Sequence, residues 1–410
     1  MRAIGSFVFT LLFLSSCMQN ASEKKPADTP ILEEGKWKLS FITQKYEVPI
    51  RALIEDSTLK IINGEEIISF EMNIRGDSFY VPIPNYDSHL EGIIQSNSSF
   101  RGVFIKDYVE DYSIPFIAER NNENVFETRD STQINLSHKY AVQLIDGEDI
   151  SPGIGIFKQN GNIITASIAT ETGDYRYLEG VINKQQLFLS TFDGSRLYLF
   201  TADIKGDSLL NGKFISGKGG NYTWDAHSDP NVTLRDPEDL TFIKEGYDHF
   251  DFNLIDLNNK PTSLSDKRFQ NKVKIIQIMG TWCSNCLDET KYFNKLYSLY
   301  KDKGLEIIAV AFENGNDTIA VLEKLKRYKL NNNIEYTILY GGKNGGENAE
   351  KVFPMLNKIM SFPTAIYLDP SNNVRKIYTG FYGPGTGDYF IEYTEKNEVF
   401  INSLLEGLNN

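Results

Sequence analysis

Lys274-Ile275-Ile276-Gln277-Ile278-Met279-Gly280-Thr281-Trp282-Cys283-Ser284-Asn285-Cys286 decides the fold of the C-terminal part of this chain. Its first six residues are a nearly continuous apolar run, the mark of a strand covered on both faces. After the two cysteines comes an amphipathic stretch, with Tyr292, Phe293, Leu296, Leu299 and Tyr300 at three- and four-residue steps. The order strand, Cys-x-x-Cys, helix sets both thiols at the start of a helix, one turn apart. The N–H groups there lack partners and the macrodipole presents positive charge. A thiolate on Cys283 is therefore favoured, with a pKa expected below the ~8.5 of free cysteine.

A thiolate attacks a disulfide to give a mixed disulfide. Cys286, deeper in the first turn, is placed to displace the product and close the intramolecular bridge, and Trp282 flanks the sulfur with a flat apolar wall. A purely structural disulfide would close too small a loop to return much stability. A zinc site would need two further ligands, and the sequence holds no second Cys-x-x-Cys and no paired histidines, so no metal site is expected. Redox chemistry is the reading that explains the order of elements.

The surrounding pattern is α/β. Leu305–Phe312 reads as a second buried strand, and Thr318–Tyr328 as a helix with Ile319, Leu322 and Leu325 on one side. Tyr336–Tyr340, Phe362–Leu368 and Arg375–Thr379 read as further strands, and Asp388–Leu405 as a last helix. Strands alternating with helices predict helices on both faces of one sheet. Gly341-Gly342-Lys343-Asn344-Gly345-Gly346 lacks the order of a phosphate loop and reads as a flexible connection before a helix around Ala349–Met360.

Trp282-Cys283-Ser284-Asn285-Cys286, with Phe362-Pro363-Thr364 ahead of a later strand, resembles the thioredoxin fold, and within it the TlpA/ResA-like family of membrane-tethered thiol–disulfide oxidoreductases. Ser263-Leu264-Ser265-Asp266 and Glu289 match as well, and the resemblance covers roughly residues 242–408. It implies that Pro363 is cis and faces the cysteines, and that the Phe362 backbone is available to pair with an extended substrate. Trp282, Phe362 and Pro363 are thus the expected substrate-binding residues. Thioredoxin has a buried Asp where this chain has Gln277, which cannot accept a proton. Glu289, a turn beyond Cys286, is then the carboxylate placed to assist its deprotonation, and a solvated helix charge fits it equally. Asn285 and Thr290 replace prolines common in the family.

Upstream, residues 36–228 carry short alternating or aromatic-rich runs, such as Trp37–Ile42, Ser78–Val81 and Leu197–Phe200. Asn63-Gly64, Arg75-Gly76-Asp77, Asn160-Gly161, Asp193-Gly194 and Asn211-Gly212 punctuate them as hairpin signals, predicting an antiparallel sandwich or barrel. Phe79–Val81, Asp87, Leu90 and Phe100–Phe104 echo Leu187–Leu189, Asp193, Leu197 and Leu210–Phe214; a duplicated unit and a chance echo both fit. Glu171, Asp174 and Arg176 read as the charges of a hairpin edge rather than a binding face. The region resembles the β-rich N-terminal halves of thioredoxin-like lipoproteins of Bacteroidetes, a resemblance that supplies no role. Residues 229–241, with Pro230, Pro237 and little apolar content, read as a linker.

The first residues are an address. Arg2, the apolar run Phe7–Leu14 and small residues make 1–16 a secretory signal. Leu14-Ser15-Ser16-Cys17 resembles a bacterial lipobox, which implies lipidation of Cys17, and residues 17–35 read as a polar tether. The expected place is extracytoplasmic, lipid-anchored to the cell envelope. With 42 Lys and Arg against 55 Asp and Glu, the net charge is −13, which argues against sequence-independent binding to nucleic acid.

The expectation is an N-terminal all-β region followed by a C-terminal α/β thioredoxin-like domain acting as an anchored thiol–disulfide oxidoreductase. No flavin or nicotinamide fingerprint is present and no cofactor is expected, so reduction of protein disulfides needs a membrane electron donor. The alternative is a β-domain binding module for a carbohydrate, peptide or lipid with an accessory redox domain. A peroxiredoxin would carry Thr-x-x-Cys instead.

Overall fold

The computed structural model describes residues 31–43, 45–120, 125–126, 134–136, 139–247 and 249–407. The expected signal segment, Cys17 and most of the expected tether fall outside these described residues. Among the described residues no helix is long and apolar enough to cross a membrane.

The N-terminal region is all β and the C-terminal part is thioredoxin-like, as expected. Strands β1 (Gly35–Ile42), β2 (Glu47–Glu55), β3 (Thr58–Asn63), β4 (Glu66–Glu71), β5 (Asn73–Arg75), β6 (Ser78–Ile83), β7 (Ser88–Ser96), β8 (Ser99–Lys106) and β9 (Ser113–Arg120) form one antiparallel sheet. Its order is β4-β3-β2-β1-β9-β8-β7-β6-β5, so two strands consecutive in the chain stand at its two ends and the sheet curls on itself. Alternation explains the core: Trp37, Leu39 and Phe41 of β1 and Val48, Ile50, Ala52 and Ile54 of β2 point inward.

The second sheet uses β10 (Lys139–Asp146), β11 (Asp149–Asn160), β12 (Ile163–Thr170), β13 (Gly173–Asp174), β14 (Leu178–Asn183), β15 (Gln186–Phe192), β16 (Leu197–Lys205), β17 (Ser208–Ser216) and β18 (Asn221–Ser228). It closes into a barrel because β11 pairs with both β10 and β12. In each sheet the first strand pairs with the last, β1 with β9 and β10 with β18. The β6–β7 turn and the β15–β16 turn occupy equivalent places, and they touch: Ser88 Oγ donates to the Gly194 carbonyl at 2.7 Å.

Gly64, Gly76, Gly161 and Gly194 sit in hairpin turns with positive φ, as the sequence predicts. Asn211-Gly212 does not. It lies inside β17 at a bulge, with Asn211 in the left-handed region at φ 54°. Gly212 is there because the strand passes hard against Trp224; a Cβ would stand 2.1 Å from the Trp224 carbonyl oxygen. Gly212→Ala is expected to cost ~1–3 kcal/mol through overpacking, read from the urea midpoint.

The C-terminal sheet has the order β20-β19-β23-β22-β21-β24-β25, with β19 (Asn253–Asp256), β20 (Pro261–Ser263), β21 (Val273–Met279), β22 (Leu305–Glu313), β23 (Thr337–Lys343), β24 (Thr364–Leu368) and β25 (Val374–Thr379). Helices α1 (Ser284–Tyr300), α2 (Thr318–Asn331), α3 (Gly346–Val352) and α4 (Asp388–Glu406) cover it. Every residue of the central strands β21 and β22 is buried. Residues of α1, α2 and α4 share one apolar cluster, which continues through Phe192 and Leu197 to Trp37, Phe41 and Phe104 of the first sheet. Phe250, Phe252, Ala349 and Phe353 cover the other face.

Three local expectations are corrected. The helix expected around Ala349–Met360 is Gly346–Val352, ended by Phe353-Pro354, since a residue before proline is driven out of the helical region. Ile319 is 75% exposed; Val321, Leu322, Leu325 and Tyr328 make the buried side of α2. Gly341, Gly342 and Lys343 complete β23 rather than a loose connection. Segment 229–241, read as a linker, is docked along the C-terminal sheet: the Pro237 carbonyl accepts the Thr379 N–H at 3.0 Å, and Leu240 is buried.

Candidate active site

Cys283 caps α1 in an extended conformation, and the Cys286 N–H points at its Sγ from 3.1 Å. The two cysteines form a disulfide with their Cα atoms 5.2 Å apart. Once the bridge opens, the same N–H and the helix end face the Cys283 sulfur, which favours its charged form. Cys283 Sγ also lies 3.2 Å from the Phe362 carbonyl oxygen, and the Phe362–Pro363 bond is cis. The structure thus brings Trp282, Cys283, Cys286, Phe362 and Pro363 together. Trp282 donates Nε1–H to the Phe312 carbonyl at 2.9 Å and sets its ring 5.5 Å from that of Phe362.

Below the cysteines, Glu289 is fully buried and Gln277 Nε2 donates to its Oε2 at 2.9 Å and to Thr290 Oγ1 at 3.3 Å. Burial pushes the Glu289 carboxyl up to about 8, opposed only weakly by the Gln277 hydrogen bond. The solvated-charge alternative for Glu289 is therefore wrong. Its neighbour in space is an amide, which leaves the carboxyl without a compensating cation. On the other flank Glu313, also fully buried, accepts the Thr281 N–H and hydroxyl at 2.7 Å each. Lys324 bridges Glu313 at 3.1 Å to Asp87 of the β6–β7 turn at 2.8 Å.

Cys283 is only 4% exposed because the second β unit sits on the motif. Ser195 Oγ donates to the Trp282 carbonyl at 3.1 Å, and Ser361 Oγ to the Thr172 carbonyl at 2.5 Å. Gly173, at φ 136°, lets the chain pass beside Asn285, where a Cβ would meet Asn285 Nδ2 at 3.2 Å. Asp174 accepts the Gly383 N–H, and burial raises its carboxyl to about 6.

Arg176 joins all three parts of the molecule. Its guanidinium pairs with Glu66 of the first sheet, with Asp193 of the second at 3.3 Å and with Asp288 of α1 at 3.0 Å. Burial works to raise the Asp193 carboxyl, but the Arg176 and Arg196 charges outweigh it and hold the group below its ordinary range. The hairpin-edge reading of Asp174 and Arg176 is thus overturned; only Glu171 follows it, paired with the exposed Arg235. Asp174, Arg176, Ser195, Arg196, Glu313 and Lys324 were missed as site residues. The one signal was the acidic and basic string Glu171–Arg176 itself, since an edge strand and an interface use the same residue types.

A reactive disulfide on a helix N-terminus, beside a cis-proline loop on a thioredoxin-fold sheet, defines the class: a dithiol oxidoreductase. The Redoxin family matches residues 244–385. ResA thiol–disulfide oxidoreductase of Geobacillus kaustophilus is 32% identical over 130 residues, 32% of this chain and 66% of that protein. ResA of Bacillus subtilis is 32% identical over 138 residues, 34% of this chain and 69% of that protein. A thiol:disulfide interchange protein of the thioredoxin family from Chlorobium tepidum, 19% identical, superposes with a TM-score of 0.28 over 37% of this chain and 97% of its own. This chain belongs to the TlpA/ResA-like family of thiol–disulfide oxidoreductases. It spans about two thirds of the length of these ResA relatives, and the Redoxin match leaves the β-rich region outside.

Proposed function

We propose that the chain reduces protein disulfides outside the cytoplasm while anchored to the envelope by lipid on Cys17. The observation that carries the chemistry is the Cys286 N–H aimed at Cys283 Sγ, beside the Phe362 carbonyl. The Cys283 thiolate attacks one sulfur of the substrate; that S–S bond breaks and the other sulfur leaves as a thiolate that takes a proton from water. The Cys286 thiol loses its proton and attacks Cys283 Sγ, releasing the second substrate thiolate and closing Cys283–Cys286. Two electrons and two protons must then come from a dithiol donor at the membrane. Trp282, Phe362 and Pro363 form the shelf for an extended substrate. Anchoring rests on Arg2, the Phe7–Leu14 run and Cys17.

We read residues 36–228 as two equivalent β units and 242–408 as the redox domain. The close seat of the second unit on Trp282 and Asn285 supports a share in the redox site over an independent binding module. Insulin reduction with dithiothreitol as electron source tests the function. Wild type should accelerate it and the Cys283→Ser, Cys286→Ser double variant should not; equal rates would leave only the binding reading.

Glu289 is the proton acceptor for Cys286. With a folded pKa of about 8, raised from 4.5, it is neutral at pH 7 and gains its charge only as pH passes 8. The resolving step should therefore quicken through that range, and Glu289→Gln should flatten the profile. A raised carboxyl stabilises the fold fully below its unfolded pKa and loses that contribution as pH rises through its folded one. The urea midpoint of wild type should thus fall between pH 6 and 9, and that of Glu289→Gln should fall less.

A further inference from the structure

The redox domain does not complete its own active site. Asn285, between the two cysteines, makes three side-chain hydrogen bonds, all to groups outside α1. Its Nδ2 donates to the Asp174 and Phe381 carbonyls at 3.2 and 3.3 Å, and its Oδ1 accepts from Arg196 Nη2 at 2.5 Å. Asp174 and Arg196 belong to the second β unit. Arg196 Nη1 also donates to the Asp174 carbonyl at 3.2 Å, and its guanidinium lies 6.0 Å from the centre of the Tyr198 ring. The turn that carries it is itself fixed, because the buried Asp193 carboxylate accepts the Ser195 and Arg196 N–H groups at 2.8 and 2.6 Å. Ser195 holds the Trp282 carbonyl. One turn of the β region therefore grips the residue before Cys283 and the residue before Cys286.

We propose that Arg196 is a positioning residue of the dithiol, fixing Asn285 and the first turn of α1 and setting a guanidinium beside the helix end where the Cys283 thiolate forms. The proposal rests on the redox reading above and extends it: the potential of the pair is set partly by a different folded unit. The sign follows from the charges around the motif. The second β unit brings Asp174, Arg176, Asp193 and Arg196, the first brings Glu66, Asp87 and Lys106, and the redox domain brings Asp288, Glu289, Lys291, Glu313 and Lys324. With Glu289 neutral at pH 7, six carboxyl groups face five cations, and removing one guanidinium takes positive charge away from the place where a further negative charge must form. The thiolate, and with it the dithiol state, loses stability relative to the disulfide. The balanced reaction is the chain's disulfide plus two glutathione giving its dithiol plus glutathione disulfide, and its equilibrium constant should fall.

The test uses the full chain with Arg196→Met, Arg196→Lys and Asn285→Ala. Two quantities are read: the pH dependence of iodoacetamide alkylation of the dithiol form, and the equilibrium with glutathione. Arg196→Met should move the alkylation midpoint up by about one pH unit and lower the equilibrium constant by about tenfold. Arg196→Lys, which keeps the charge without the planar fork, should recover part of both. The Arg196→Met, Asn285→Ala double variant should show less than the sum of its singles, as contacting residues do. A cooperatively melting Arg196→Met protein with wild-type midpoint and equilibrium constant would overturn the proposal. Should Arg196→Met fail to fold, unchanged values in both Asn285→Ala and Arg196→Lys overturn it equally. A wild-type pair that never equilibrates with glutathione would instead sink the redox reading beneath it.

Discussion

Replacing Cys286 by serine is expected to turn the protein into a trap that holds its substrates as mixed disulfides. Cys283 keeps everything that activates it, since the N–H facing its sulfur comes from the backbone of residue 286 and not from the side chain. Attack proceeds, one substrate sulfur leaves, and no second thiol resolves the bond. Turnover should fall on the order of 10³-fold or more, as it does when one member of a catalytic pair acting as a unit is removed. Cys283→Ser should lose both capture and turnover, because Cys283 is the sulfur that faces the Phe362 carbonyl and the Cys286 N–H, while Cys286 lies a turn deeper in α1. Non-reducing electrophoresis with mass spectrometry separates the two. Capture by Cys283→Ser at the level of Cys286→Ser would reverse the assigned order of attack.

The second large effect concerns Arg176. Its side chain is 4% exposed, and those of Asp193 and Asp288 are 3% and 5% exposed. Arg176→Met would leave these carboxylates and that of Glu66 buried without their shared cation, and breaking a buried ion pair from one side costs ~3–5 kcal/mol. Because one carboxylate comes from each of the two β units and one from α1, the loss should fall on the seating of the β region and not on one core alone. Urea unfolding should show a lowered midpoint and a transition that separates into two. A single transition at the wild-type midpoint would mean that apolar contacts around Phe192 hold the parts together without the clasp.

The redox motif was legible because its chemistry is local. Cys283 and Cys286 sit three residues apart, and the apolar run before them and the amphipathic stretch after them fix a strand and a helix whatever else the chain does. Hairpins at Gly64, Gly76 and Gly161 were legible for the same reason: a left-handed backbone position selects for glycine within a few residues. Asn211-Gly212 misled because a bulge pressed against Trp224 needs the same glycine as a turn. The buried state of Glu289 was illegible, since a charged residue on a helix reads alike whether water or a sheet lies beside it.

What the sequence alone determined was the sequence-local part: a dithiol on a helix start, an α/β half, and a β-rich half with an acidic balance. Tertiary structure alone decided that Asp174, Arg176, Ser195 and Arg196 contact the dithiol motif and its helix. Arg176 is 112 residues from Asp288 and 110 from Glu66, and Arg196 is 89 from Asn285. No periodicity spans such distances. A carboxylate and a guanidinium look the same in sequence at a wet hairpin edge and in a dry interface; only the packing that removes water decides which electrostatic role they play.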